Sequence, residues 1–331
     1  MNFELKEKNI LFISPKFFNY EKEIEKKIED FGANVHYIDD RFDNGFIVKA
    51  LLRLGIGKIF LKNKIIRYFL KELERSKFDK IDYVFALTPE AFSENVIEIY
   101  RKLLPDTVFI LYMWDSFKNK TNTPHLLEYF DFKYSFDLVD SQNYDLNYLP
   151  LFYIDSYSSF IKKDNFLYDI SFIGTAHSDR IAIAKKVVKQ LGTNKYFFYF
   201  YFQSKILYYY NKIVNKHFKD VFKTDICFNS IDKILLNQVL ENSKVVLDIQ
   251  HFDQEGLTMR TFEMIGAKKK LITTNKNVAL HDFYNSNNIC ILDRKKLEIN
   301  SDFLVSDYID LPKEIYEKYS LHSWIKTIFK L

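Results

Sequence analysis

With 331 residues, 47% of them apolar and 28% charged, the chain is long enough for two globular domains, and its composition excludes a disordered or fibrous protein. Forty-eight Lys and Arg against 44 Asp and Glu leave a formal charge of +4, too small for a dedicated nucleic-acid binder. Two cysteines, Cys227 and Cys290, with no CxxC or Cys/His cluster, indicate neither a disulfide framework nor a zinc site and fit reduced thiols in the cytoplasm.

The amino-terminal MNFELKEKNILFIS carries Glu4 and Glu7 in too short an apolar run for a secretory signal. No window reaches the ~18 uncharged apolar residues of a membrane span. Strand-like and helix-like segments then alternate, the pattern of parallel sheets with helices on their faces. Residues 9–14 (NILFIS) read as a strand closed by Pro15, 20–31 as a helix with Ile24 and Ile28 on one face and a stop at Gly32, and 35–38 as a second strand. Strands follow at 83–87 and 108–113, separated by a helix from about Pro89 to Leu104, with a further short strand at 138–139.

Pro150 and the loss of periodicity over 148–160 place the domain connection there. A second series of strands follows at 169–174, 196–202, 226–228, 245–249, 271–273 and 289–292, with the best-defined helices at 231–241 and 257–265. Residues 312–331 read as a closing helix. The fold class is therefore α/β: two Rossmann-like doubly wound domains, 1–155 and 156–311, facing a cleft where open sheets place ligands.

The window 244–275 (KVVLDIQHFDQEGLTMRTFEMIGAKKKLITTN) carries the chemistry. It reads as strand, loop, helix, a Gly266 stop, and strand. Gly256 allows close approach of a ligand to the backbone, and the amides of Leu257, Thr258 and Met259 at a helix start can bind phosphate oxygens. Arg260 can add a charge-assisted contact. Glu263 stands roughly 10 Å along the helix from its start, so that it and Glu255 can hold separate parts of an extended ligand, as the ribose and sugar hydroxyls of a nucleotide sugar require.

Glu255-x7-Glu263, followed by Gly266 and an apolar strand, resembles the donor-binding signature of the group 1 glycosyltransferases of the GT-B fold, including the spore-maturation-like branch of lipopolysaccharide and capsule clusters. The order of two α/β domains and a closing helix is similar too. The resemblance implies that Glu263 binds the nucleotide ribose and Glu255 the donor sugar, with the acceptor held by the N-terminal domain. Two features depart from the family pattern: Ala267-Lys268-Lys269-Lys270 replaces its small-residue and proline text, and no Arg/Lys pair follows the first C-terminal strand. Arg180 is the substitute ligand for the diphosphate.

Gly174-Thr175 ends a strand where the chain can turn against a phosphate, or simply turn. Asn229 and Ser230 either line a base pocket or cap the helix that follows. In the N-terminal half Asp115, after Met113-Trp114, is the first candidate to orient or deprotonate an acceptor hydroxyl, with Asp137 and Asp140 behind it and Pro15-Lys16 also at a strand end. Asp-x-Asp text, paired-histidine metal spacing, GxGxxG and P-loop text are all missing; Gly55-Ile56-Gly57 has no third glycine.

The segment 46–77 holds nine Lys/Arg, including Lys58, Lys62, Lys64 and Arg67, against Glu72 and Glu74, interleaved with apolar residues. It fits either an anionic membrane surface or a core-facing helix pair with a solvated basic back. The expectation is a cytoplasmic enzyme, peripheral at the inner face of the membrane, with a nucleotide sugar as donor substrate, a glycan or lipid-linked acceptor, no obligatory metal or cofactor, and no nucleic acid. An epimerase or phosphorylase on the same scaffold, or a non-catalytic sugar-nucleotide-binding subunit, is the alternative.

Overall fold

Six strands build the first sheet in the computed structural model, which describes residues 4–41, 61–251 and 254–331. They are β1 (Asn9–Ser14), β2 (Asn34–Asp39), β3 (Tyr83–Leu87), β4 (Val108–Met113), β5 (Phe132–Ser135) and β6 (Asn147–Tyr148). All pair in parallel in the order β2-β1-β3-β4-β5-β6. β1, β3 and β4 are buried almost throughout, which is why they read as continuous apolar runs rather than alternating ones. Around them stand α1 (Tyr20–Asp30), α2 (Lys62–Ser76) and α3 (Glu94–Leu103). Gly32, at φ +94°, takes the conformation that ends the α1 segment.

The second sheet holds β7 (Tyr168–Thr175), β8 (Tyr196–Tyr201), β9 (Ser243–Asp248), β10 (Lys270–Thr273) and β11 (Ile289–Ile291), parallel in the order β11-β10-β9-β7-β8. Its longer helices are α4 (Arg180–Leu191), α5 (Lys205–Val214), α6 (Lys233–Glu241) and α7 (Met259–Gly266). Cys227 and Cys290 are free thiols.

The chain divides into two units, Met1–Leu151 with Leu321–Leu331, and Phe152–Ser320. The expected closing helix over 312–331 is in fact two helices, Lys313–Lys318 and α8 (Leu321–Phe329), which belong to different units. The break falls at Tyr319 and Ser320 because Tyr153 N–H donates to the Tyr319 carbonyl at 2.8 Å and Tyr153 bridges Ser320. α8 then returns to the first unit. Leu321, Trp324, Ile325 and Ile328 form its buried stripe, with Trp324 4.7 Å from the Tyr112 ring and 6.0 Å from Phe85.

Three other elements differ from expectation. The helix predicted from Pro89 begins only at Glu94, because the amides of Glu90, Ala91 and Phe92 donate to the Asp40 carboxylate at 2.5, 3.0 and 2.7 Å and are held out of a helix. Residues 138–139 are not a strand; they open a helix over Leu138–Asn143 that Asp137 caps. Residues 226–228 reduce to a single bridge between Cys227 and Tyr201.

Gly266 is also not the stop it resembles. A Cβ there would lie 2.5 Å from the Tyr153 ring, and the left-handed residue past the helix is Lys268, at φ 50°. The lysines that follow are structural. Lys269 Nζ donates to the carbonyls of Glu241 and Ser243, and Lys270 Nζ to those of Phe303 and Ser306, so both buried ammonium groups satisfy carbonyls where a helix gives way to the next segment. In the described part of the basic segment, α2 turns Ile65 and Phe69 into the core and leaves Lys62, Lys64, Arg67 and Lys71 exposed. Residues 46–60, with Lys58 and Gly55-Ile56-Gly57, lie outside the described residues.

Candidate functional site

In the order β11-β10-β9-β7-β8 the chain leaves β7 in one direction to β8 and in the other to β9, so the topological switch lies between β7 and β9. Parallel sheets open a crevice at the carboxyl ends of such strands. Here those ends are Gly174-Thr175 and Asp248-Ile249.

Arg180, the first residue of α4, spans that gap. Its Nε donates to the Ile249 carbonyl at 2.5 Å, and Nη1 to the Thr175 carbonyl and Oγ1 at 3.0 and 3.1 Å. A Cβ on residue 174 would meet the Phe172 ring tightly, at 3.0 Å, and Arg180 Nη1 at an ordinary 3.4 Å, so glycine here accommodates the ring. Burial lowers the Arg180 pKa to about 10, which leaves it charged at neutral pH.

Asp248 is the centre of the cluster and is 5% exposed. Its Oδ2 accepts from Thr258 Oγ1 at 2.8 Å and from Thr273 Oγ1 at 3.4 Å. Burial raises its pKa, while the Thr258 hydrogen bond and the charges of Arg180 and Arg260 oppose the rise. Thr258 occupies the cap position of α7, yet its side chain accepts nothing from the helix amides. Its hydroxyl donates to Asp248, and the cap meets the first turn through its backbone instead, the Thr258 carbonyl accepting from Thr261 N–H at 3.1 Å.

Arg260 and Glu263 pair one turn apart on α7, with Nη1 2.6 Å from Oε2 and side chains 15% and 7% exposed. Glu255 is exposed, and its Oε2 accepts from Asn277 Nδ2 at 2.9 Å. Asn275, buried beside it, donates from Nδ2 to the carbonyls of Glu255 and Gly256 and fixes the loop entering α7. Gly256 and Leu257 are buried in that loop.

Further polar groups sit at the same strand ends. Arg294 forks onto both oxygens of Asp179 at 2.6 and 2.7 Å, and donates to the Gln250 carbonyl and to Thr274 Oγ1. The His177 and His251 rings lie 5.1 Å apart. Burial, then the charges of Arg180 and His251, holds His177 down to about pKa 3, so it is a neutral imidazole at physiological pH. The arginines, the helix-start amides and the neutral His177 imidazole together present donors that an anionic ligand such as a diphosphate can use.

The structure thus brings Gly174, Thr175, Arg180, Gly256, Leu257, Thr258, Arg260 and Glu263 to one end of one sheet. It does not bring Asn229 into the cluster. That residue is exposed, accepts from Tyr199 Oη through its carbonyl, and leaves the cap of α6 to Asp232. Sequence reasoning missed Asp248, Asp179, Arg294 and the polar run Thr273-Thr274-Asn275. For Asp248 and Thr273 the only signal is a polar residue closing an apolar strand.

In the first unit Asp115 accepts from Ser116 N–H and Asn119 Nδ2, both at 2.9 Å and both on Oδ1. Asp137 accepts from Val139 and Asp140 amides as a helix cap. Asp140 accepts from Phe117 N–H at 2.8 Å, and burial raises its pKa. Lys16 Nζ lies 3.4 Å from Asp39. The switch of this sheet falls between β1 and β3. Beside it the chain holds Phe18 and Asn19 in succession at φ 52° and 64°, unusual for residues with side chains.

No family model matches the chain, and no curated protein matches it by sequence. Solved structures match along its whole length. Anabaena Alr3699/HepE in complex with UDP and glucose aligns with a TM-score of 0.58 at 10% identity, covering 98% of both chains. The lipopolysaccharide outer core galactosyltransferase WaaB aligns at 0.54 and 11%, covering 97% of this chain and 99% of its own. The N-terminal domain of Candida albicans trehalose-6-phosphate phosphatase aligns at 0.60 and 8%, covering 97% and 96%. The fold is that of the GT-B glycosyltransferases, two α/β units each built on a parallel sheet.

Proposed function

We propose that the protein is a glycosyltransferase that moves a sugar from a nucleotide donor to a hydroxyl of a surface glycan, lipopolysaccharide or lipid-linked acceptor. The observation that carries this reading is Thr258. This cap residue accepts nothing from the helix amides through its side chain and leaves the start of α7 open to an anion, beside Arg180 at the β7–β9 switch. The UDP and glucose named for the HepE structure, and the activity named for WaaB, support the same donor and acceptor classes.

In this reading the amides of Leu257 and Thr258, just before α7, and of Met259 at its start, with Arg180 and Arg260, hold the diphosphate. Gly174, Thr175 and Gly256 let it approach the backbone, Glu263 takes the ribose diol, and Glu255 the donor sugar. The acceptor oxygen bonds to the anomeric carbon as the bond to the diphosphate breaks. Fixed donors stabilise the charge that grows on the leaving oxygen without an obligatory metal. Asp115 takes the hydroxyl proton, its Oδ1 being fixed by Ser116 and Asn119. The enzyme works at the cytoplasmic face of the membrane.

A thermal-shift panel of UDP-, GDP-, ADP- and CMP-sugars tests it. One nucleotide class, and its bare diphosphate, raises the melting temperature, since a ligand at about 100 times its Kd stabilises by about 2.7 kcal/mol. A flat response across the panel contradicts the reading.

A further inference from the structure

We propose that α5 docks the second unit onto an anionic lipid bilayer. An ordinary surface helix turns its apolar stripe inward. α5 does the reverse. Ile206, Tyr209, Tyr210 and Ile213, at i, i+3, i+4 and i+7, are 81%, 57%, 60% and 82% exposed, and Leu207 and Val214 are exposed beside them. At 100° per residue these six cover an arc of roughly 160° with no polar side chain in it. Tyr208 holds the opposite side, buried, its hydroxyl donating to the Val221 carbonyl at 3.0 Å. The exposed Phe222 ring adjoins Lys212, whose Nζ lies 5.7 Å from the ring centroid.

The charge around this face selects its partner. Residues 204–223 contain five lysines, Lys205, Lys212, Lys216, Lys219 and Lys223, against one acidic residue, Asp220. A twofold contact between two copies sets the same basic segment against itself, whereas an anionic bilayer neutralises it. The remaining chemistry also fits a membrane interface. Isoleucines enter the acyl boundary, tyrosines sit at headgroup level, and lysines reach phosphates. Among the described residues of the basic segment, by contrast, α2 spends its apolar side chains on the core. Peripheral attachment through α5 needs no spanning helix, and among the described residues none is long and apolar enough to cross a membrane.

The test is cosedimentation of the full chain with phosphatidylcholine vesicles, with and without phosphatidylglycerol. The wild-type chain binds the anionic vesicles, and Ile206→Glu/Ile213→Glu weakens that binding by about tenfold or more with its melting temperature unchanged, since both positions are solvated. Lys205→Glu/Lys219→Glu abolishes the preference for phosphatidylglycerol. Three results overturn the proposal: equal sedimentation of the wild-type chain with both vesicles, unchanged binding by the isoleucine variant, or a wild-type dimer in light scattering that this variant dissolves without any vesicle binding.

Discussion

Thr258 Oγ1 donates to Asp248 Oδ2 across 2.8 Å, joining the cap position of α7 to the end of β9. The bond partners a buried carboxylate, and the same side chain accepts nothing from the helix amides. Thr258→Val removes a donor from buried Asp248, so stability falls by about 1–3 kcal/mol. Urea denaturation measures it. An unchanged midpoint shows that the bond does not hold the strand end.

Gly266→Ala separates packing from propensity. In an exposed helix the change stabilises by about 1 kcal/mol. Here the new methyl meets three atoms of Tyr153 at 2.5–2.7 Å, and the ring is further fixed by its hydroxyl donating to the Tyr316 carbonyl. The expected outcome in a thermal melt is a lower transition temperature, and a higher one contradicts the close packing.

The strand pattern was largely legible because buried parallel strands leave unbroken apolar runs. β1, β3 and β4 match their expected bounds residue for residue. What the sequence hid was long-range. Nothing local in 89–93 announces that Asp40, 50 residues away, claims the amides of Glu90, Ala91 and Phe92. Gly266 looked like a stop because a side chain it must avoid, Tyr153, is 113 positions away in the sequence. At the site, Gly256, Arg260 and Glu263 were visible as a local motif running from one loop into one helix. Asp248 and Arg294 were not, since their importance arises from strands and loops meeting in space.

Asp40 gives the stability a pH signature. It is fully buried, and burial lifts its pKa to about 6 even though three backbone amides favour the charged form. The unfolded carboxyl ionises near pH 4 while the folded one stays protonated, so this group's contribution falls as pH rises from about 4 to about 6, by roughly 3 kcal/mol in all. Asp40→Asn removes that slope. Urea midpoints for the two proteins across this range diverge as the wild type loses stability relative to the variant; parallel curves contradict the shifted carboxyl.

Trp324 anchors α8 to the first unit, fully buried against Tyr112 and Phe85. Trp324→Ala costs about 3–5 kcal/mol, the usual range for emptying a core aromatic site. Because Leu321–Leu331 belongs to the first unit, hydrogen exchange accelerates in β3 and β4. Acceleration confined to 152–320 contradicts the assignment.

Calorimetric titration of the nucleotide sugar selected by the thermal panel, into the wild-type chain and Glu263→Ala, tests the central claim most directly. Glu263 pairs with Arg260 one turn into α7. The donor-site reading predicts saturable binding by the wild-type chain and its loss, by about tenfold or more, in a variant that still melts cooperatively. Equal affinity for both proteins contradicts the account.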